Sequence, residues 1–374
     1  VADRILFRAH RSQILPALDA CFEAVDTRSN IPILGNVFLS PKGGELLMRA
    51  TDLAIEVETS CDLMEESASG PITVSGAGLR DIVKNLPESA EIIFSEGAFP
   101  DQVRIQSGRS RFSLLTLPED DFPSISEKVT GDSFQLEIAP LIDALMKVAY
   151  AIKEDKTRNY LSGAYLHPGR DSTISVVGTD GHNLAVVNLD AGHAVEFRGI
   201  IVPIKTVKAF KKLFGEGKGK AEVTISEANI RIAMNGVTAI SKLVDGTFPG
   251  YERIIPARSE HVAVAPVSTL RAAVSRVCLV ANDLERDTVR FQMGDGALRV
   301  ALKTSAGEDA DEDVPINYDG GTIDIGFNGR YLTQMLSSIG TQDVEMHFSD
   351  PTTPGLFRPT IECDEHYVIM PRKG

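Results

Sequence analysis

The chain has 374 residues, 43% hydrophobic and 24% charged, with 38 Lys and Arg against 52 Asp and Glu for a formal net charge of −14. That length is too great for one ordinary core and predicts two or three domains. The negative total argues against a surface that grips nucleic acid throughout by neutralising phosphate, and no apolar run approaches the roughly 20 residues needed to cross a bilayer.

In chain order, Val1 to His10 lacks the apolar stretch of a secretory signal, so a cytoplasmic location is expected. Ile14, Leu18 and Cys21 then recur at i, i+4 and i+7 and predict a helix. A strand-like stretch follows through Thr51-Asp52-Leu53 to Ile55-Glu56-Val57. Pro71-Ile72-Thr73-Val74 leads into a second helical pattern of Leu79, Ile82, Val83 and Leu86. Val103 to Ser107 alternates as a strand, and Phe122-Pro123 closes the stretch. The series then begins again. Leu141, Leu145 and Val148 predict a helix, and Ile174 to Val177 a strand. Thr179-Asp180-Gly181-His182 precedes Leu184 to Val187. Ile200 to Pro203 leads into Val207, Phe210, Leu213 and Phe214, Glu222 to Ile225 reads as a strand, and Phe248-Pro249 closes. A fainter third series runs from the helix of Leu270, Val274 and Val277 through Leu298 to Ala301. It ends with Ile323 to Asn328, which lead into Tyr331, Leu332, Met335, Leu336 and Ile339.

The Thr-Asp segments lie 128 residues apart and the Phe-Pro closures 126 apart. A fixed period is the signature of repeated structural units. Three units are expected, 1–127, 128–255 and 256–374, with linkers near Glu127 to Asp132 and Pro256 to Glu260. Each holds about two helices and several alternating strands, an α+β fold with helices on one face of antiparallel sheet. The four cysteines, Cys21, Cys61, Cys278 and Cys363, form no CxxC pair. They are expected as reduced thiols, with Cys21 and Cys278 at buried helix positions.

Several motifs suggest chemistry and fail on detail. Gly76-Ala77-Gly78-Leu79-Arg80-Asp81 ends in Asp where a dinucleotide fingerprint needs Gly or Ala, and no βαβ pattern surrounds it. Gly215 to Lys220 has no Ser or Thr after either Gly-Lys pair, as a phosphate loop would require. Asp180 and His182 could form half of a hydrolytic site, but no Ser or Cys nucleophile motif accompanies them. The seven histidines show no metal-binding spacing, and Glu308 to Asp313 lacks the pattern of a calcium loop and reads as a solvated loop. No catalytic residue, metal or cofactor is assigned.

Five segments in order resemble the signature segments of bacterial DNA polymerase III beta subunits, the sliding clamps. They are Ile31 to Asn36, Ser107 to Leu114, Thr179 to His182, Ser241 to Pro249 and Tyr367 to Pro371. The resemblance spans essentially the whole chain. It implies three clamp domains per subunit and a head-to-tail homodimer forming a ring, with sheets outside and two helices per domain lining the hole. It implies a non-enzymatic processivity factor that encircles double-stranded DNA without reading its sequence. An acidic outer wall is compatible with a lightly basic lining, and Lys205, Lys208, Lys211, Lys212, Lys218 and Lys220 crowd one stretch against Glu216.

By the same resemblance, Arg28, Lys84, Tyr160, Lys205 and Lys208 face DNA, with Lys211 and Lys212 as further candidates. Ala77-Gly78 stands where family members often carry a basic pair. A hydrophobic cleft takes short motifs from polymerase III alpha and other polymerases, the clamp loader's delta subunit and repair proteins. Its matching residues are Leu161, Thr179, Gly181, His182, Leu184, Pro249, Arg253, Ile254, Val368, Ile369, Met370 and Pro371. Such a pocket suits an extended peptide anchored by Leu and Phe, with Met370 as an adaptable wall. Asn183 replaces a common Arg, and the chain ends Pro371-Arg372-Lys373-Gly374 instead of Met-Arg-aliphatic. Phe112 and Leu114 on an edge strand, and Leu279 and Val280 at a helix end, match the dimer contacts.

Overall fold

The computed structural model describes residues 4–67, 70–125, 129–259, 261–281, 288–294, 296–360 and 364–372. Glu127, Glu260, Cys363, Lys373 and Gly374, which figure in the linker, cysteine and C-terminal expectations, lie outside these residues. Six α-helices occur among the described residues: α1 (Arg11–Cys21), α2 (Gly76–Asn85), α3 (Ile138–Ala149), α4 (Ile204–Phe214), α5 (Val267–Val277) and α6 (Gly329–Ser338). The first helix of each repeat buries its expected triad: Ile14, Leu18 and Cys21; Leu141, Leu145 and Val148; Leu270, Val274 and Val277. Each second helix follows directly on a short strand, Ile72–Ser75, Ile200–Pro203 or Ile323–Asn328. The Ser75 hydroxyl accepts the Gly78 N–H at 3.2 Å at the start of α2. The Asn328 side chain accepts the N–H groups of Arg330 and Tyr331 at the start of α6. Such caps satisfy donors that a helix leaves unpaired at its N-terminus.

Two compact units result, Val1–Ala139 with Ala209–Leu243, and Pro140–Lys208 with Val244–Gly374. The middle repeat contributes strands to each unit, because strand pairing joins consecutive repeats. In the first unit, Val237–Lys242 adds antiparallel to Ile55–Asp62. In the second, Glu365–Ile369 adds antiparallel to Asn183–Asp190.

The first unit holds one thirteen-stranded sheet, with α1 and α2 packed together. Arg11 ties them by donating from Nε to the Val83 carbonyl at 2.9 Å, and Arg80 pairs with Asp19 at 2.6 Å. Phe7 and Phe94 stack at 4.4 Å in the core. Cys21 and Cys61 are buried free thiols, and burial pushes the Cys61 thiol up to about 12, which leaves it protonated and unreactive at neutral pH.

The second unit holds an eight-stranded and a four-stranded sheet, with α5 and α6 packed together. Phe291, Phe327, Phe348 and Phe357 interlock largely edge to face, with Phe348 and Phe357 at 5.5 Å and 73°. A side chain at Gly355 would begin 2.7 Å from the Phe327 ring, so glycine lets the rings close.

One expectation is corrected. The acidic run is largely a strand, Asp309–Pro315, paired with Ala297–Lys303. Arg299 and Arg276 make this possible by pairing with Asp311 at 3.0 Å and Glu312 at 2.6 Å, while Asp309 and Asp313 are exposed. Among the described residues no helix is long and apolar enough to cross a membrane, and no cluster of three His, Cys, Asp or Glu is placed to hold a metal.

Candidate peptide cleft and interface surfaces

In the second unit, strand Thr173–Thr179 turns through Asp180, Gly181 and His182 into Asn183–Asp190. Two side chains build the turn. Thr179 donates from Oγ1 to the Asn183 carbonyl at 2.6 Å and accepts the Gly181 N–H at 3.0 Å. Asp180 Oδ1 accepts the N–H groups of His182 (2.9 Å) and Asn183 (3.1 Å) and the Asn183 side-chain amide (2.9 Å), while Oδ2 accepts the Tyr331 hydroxyl (2.6 Å). A carboxylate can be buried at little cost when so many donors surround it. Asp180 therefore binds the backbone of His182, not its ring, and the pair is a structural turn instead of half a hydrolytic site. Gly181 takes φ +93°, where other residues are strained, and a side chain there would begin 3.1 Å from Arg158 Nη1. His182 is left exposed on the turn.

Beside the turn, Val368 sits opposite Leu184 and Ile369 opposite Asn183. The Met370 N–H donates to the His182 carbonyl at 2.9 Å and the Arg372 N–H to the Gly326 carbonyl at 2.7 Å. Because side chains alternate along a strand, Leu184 and Val368 face an apolar cluster with Leu161, Phe248 and Tyr251, while Tyr160 and Tyr165 pack against it. Tyr165 and Phe248 stack at 4.6 Å. Burial pushes the Tyr251 hydroxyl up to about 12, so it stays neutral.

Thr179, Gly181, His182, Leu184, Ile254, Val368 and Met370, all cleft expectations, line one small, mainly apolar recess with Asn183. Leu161 lies in the cluster beneath it. Pro371 joins His182 and Met370 in a second cavity of about 400 Å³. Ile369 is fully buried on the opposite face of its strand, and Pro249 and Arg253 are exposed and line neither cavity. The larger cavity also draws in Tyr150, Lys153, Asn328, Arg330, Tyr331 and Arg372, which sequence reasoning missed. By its spacing with Leu332, Met335 and Leu336, Tyr331 belongs to an apolar helix stripe. Its hydroxyl was the available signal, since a buried phenol needs a partner.

The first unit repeats the turn without the recess. Thr51 donates to the Ile55 carbonyl at 2.9 Å, Asp52 Oδ1 accepts the N–H groups of Ala54 and Ile55, and the Lys242 N–H donates to the Ala54 carbonyl at 2.8 Å. Glu56 stands in the place of Leu184. It is fully buried and accepts the Ile125 N–H at 2.6 Å, so a carboxylate replaces the apolar floor.

Of the DNA-facing candidates, Arg28 is exposed in the loop after α1, Lys84 in the last turn of α2, and Lys205 and Lys208 on α4. Tyr160 is half-buried against the apolar cluster. Lys211 and Lys212 are exposed, and Lys212 pairs with Glu23 at 2.9 Å.

Of the interface candidates, Phe112 and Leu114 lie on strand Ser110–Leu117, directly opposite buried Ile105 and Val103 and on the same face. Both are only half-buried, because the core layer ends there. On the strand's other side, among the described residues, only Thr116 and Leu117 are paired, which leaves the edge from Ser110 to Leu115 open. Leu279 is 82% exposed in the 3-10 turn after α5, with Val280 half-buried beside it.

Family models for the DNA polymerase III beta subunit match the chain in three parts: the N-terminal domain over residues 5–126, the central domain over 135–250 and the C-terminal domain over 252–373. The beta sliding clamp of Pseudomonas aeruginosa is 33% identical over 98% of this chain and 99% of its own length. That of Escherichia coli K12 is 30% identical over 98% of this chain and 99% of its own. Among solved structures, a DnaN sliding clamp from Pseudomonas aeruginosa bound to griselimycin superposes with a TM-score of 0.93 at 32% identity, over 99% of this chain and 100% of that one. The Bartonella birtlesii clamp, also bound to griselimycin, gives 0.91 at 33% identity, over 98% of this chain and 99% of that one. With antiparallel sheets and two helices in each of three clamp domains, the chain belongs to the family of bacterial DNA polymerase III beta subunits, the beta sliding clamps, which are processivity factors and not enzymes.

Proposed function

We propose that this sliding clamp closes as a head-to-tail homodimeric ring around duplex DNA and recruits its partners through the recess beside Asp180. The observation that carries this reading is a pair of incomplete edges of opposite charge. On the first unit, the open edge from Ser110 to Leu115 carries exposed Arg111 and half-buried Phe112 and Leu114, with exposed Arg109 in the turn before it. On the second, Asp309–Pro315 is the outer strand of the four-stranded sheet, with Asp309, Asp311 and Asp313 exposed, and the 3-10 turn after α5 that carries Leu279 packs beside it. An open edge invites another strand. In this proposal the acidic strand of a partner subunit adds to the basic edge, and the partner's Leu279 and Val280 cover Phe112 and Leu114. Doing so at both ends closes a ring.

Three repeats, 1–127, 128–255 and 256–374, would then supply the ring's domains, with Arg28, Lys84, Tyr160, Lys205 and Lys208 turned toward DNA. The recess would take short apolar motifs of replicative and repair polymerases, the clamp loader and repair proteins. Work on the bacterial chromosome implies a cytoplasmic location. The test is loading onto circular primed DNA with a clamp loader and ATP. Retention on circles with loss after linearisation is the expected result. Loss from intact circles as salt rises would instead mean ordinary phosphate binding and would sink the reading.

A further inference from the structure

The apolar cluster gives way to titratable groups along one face of the eight-stranded sheet. One row of that face runs from Leu184 to Val368 and Leu356, all in the cluster, and then to His347. The next row pairs Val186 with His366 and Arg358 with Glu345. His347 is 3% exposed, and its Nδ1 has no hydrogen-bond partner among the described residues. The Nδ1 of His366 and the Nε of Arg358 are likewise buried without one. Each ring has a carboxylate on its own strand: Glu345 lies 3.4 Å from His347 Nε2, and Asp364 lies 3.6 Å from His366 Nδ1. Strand Val262–Pro266, beyond His347, turns only Val262 and Val264 to this face.

Arg258 reaches the group from the linker between the second and third repeats. Burial lowers the proton affinity of both rings, Glu345 and Asp364 oppose it, and Arg258 lowers it further, so the fold holds both below the ordinary histidine range. The same linker carries Tyr251, inside the apolar cluster, Ile255, packed against it, and Ile254, in the wall of the recess.

We propose that His347 and His366 form an acid-sensitive latch for the linker 251–259. Neutral rings let Arg258 and Ile255 lie over the sheet. Protonated rings beside Arg258 and Arg358 set four cations against Glu345 and Asp364 at the margin of an apolar cluster. Arg258 yields first, because it is exposed and lies outside the sheet. Ile254 and Ile255 move with it, so acid opens one wall of the recess. A histidine that the fold keeps neutral costs nothing well above about pH 6.5, its value in an unfolded chain, and costs stability progressively as pH falls below it.

The chain has no tryptophan, so Ile255→Trp in the full chain places one emitter in the linker. Acrylamide quenching is measured at about pH 7.5 and about pH 5.5, on either side of the ordinary histidine value. The quenching constant should rise about twofold in acid, a local opening well short of unfolding, with far-ultraviolet circular dichroism unchanged. In the same background, His347→Gln with His366→Gln should abolish the rise. Arg258→Ser, at an exposed position where the fold should survive, should reduce it by at least half although both histidines remain. His167, whose Nε2 meets the Tyr251 hydroxyl at 2.9 Å, is present in every variant and does not contribute to these differences. A quenching constant independent of pH would overturn the latch, as would a rise undiminished in the double histidine variant. Should that variant fail to fold, Arg258→Ser decides alone: a rise as large as in the parent would overturn the repulsion of the linker.

Discussion

At the scale of single residues, Asp180 matters through the groups it satisfies. Without its carboxylate, the N–H groups of His182 and Asn183, the Asn183 amide and the Tyr331 hydroxyl lose their acceptor. Leaving buried donors unsatisfied costs about 1–3 kcal/mol for each group fully deprived. Asp180→Ala is therefore expected to lower the thermal midpoint and to weaken peptide binding, because the turn presents His182 and orients the strand under Leu184. Calorimetry and anisotropy check the two effects, and an unchanged midpoint would contradict the role assigned to the turn. Thr179, Asp180, Gly181 and His182 were all legible as a motif in the sequence. That the carboxylate holds the backbone and Tyr331 was not, because Tyr331 lies 151 residues further along.

Between elements, the two copies of the turn share their hydrogen bonds and differ in side chains. Leu53 holds φ +71° where the second copy has glycine at φ +93°. A side chain in the left-handed region costs roughly 1–2 kcal/mol, partly offset on replacement by glycine's greater freedom in the unfolded chain. Leu53→Gly should thus stabilise the protein by up to about 1 kcal/mol. Gly181→Leu should destabilise it by about 1–2 kcal/mol and crowd Arg158. Thermal melts of the two reciprocal variants should move in opposite directions, and a shift of the same sign would refute the strain argument. The helices were legible because their apolar residues recur at i, i+4 and i+7, and every expected triad is buried. The acidic strand was hard to read because only Ala310 and Val314 mark its inward face, with charged Glu312 between them. Its pairing depends on Arg299 and Arg276, which lie outside the segment.

For the whole molecule, the proposed ring places the burden on a few residues that a lone subunit leaves unfinished. Leu279 is 82% exposed, so Leu279→Asp removes no internal packing from the subunit itself. It is expected to yield monomers by light scattering, with a thermal midpoint close to that of the parent subunit. The same change should abolish retention on circular DNA while leaving peptide affinity at the distant-in-sequence Asp180 turn within about twofold, as additivity predicts for independent sites. Persistence of dimers would remove Leu279 from the interface.

The sequence by itself determined the repeat, the class of fold, the helix faces and most of the recess. These follow from local periodicity and from motifs that stay together along the chain. Only the tertiary structure decided that Val237–Lys242 and Glu365–Ile369 each complete a sheet begun in the preceding repeat, and that Glu56 closes one copy of the turn while Leu184 leaves the other apolar. It also brought Lys153, Arg330 and Arg372 to one cavity. Such groupings depend on strand register and on contacts between distant segments, which no local pattern encodes.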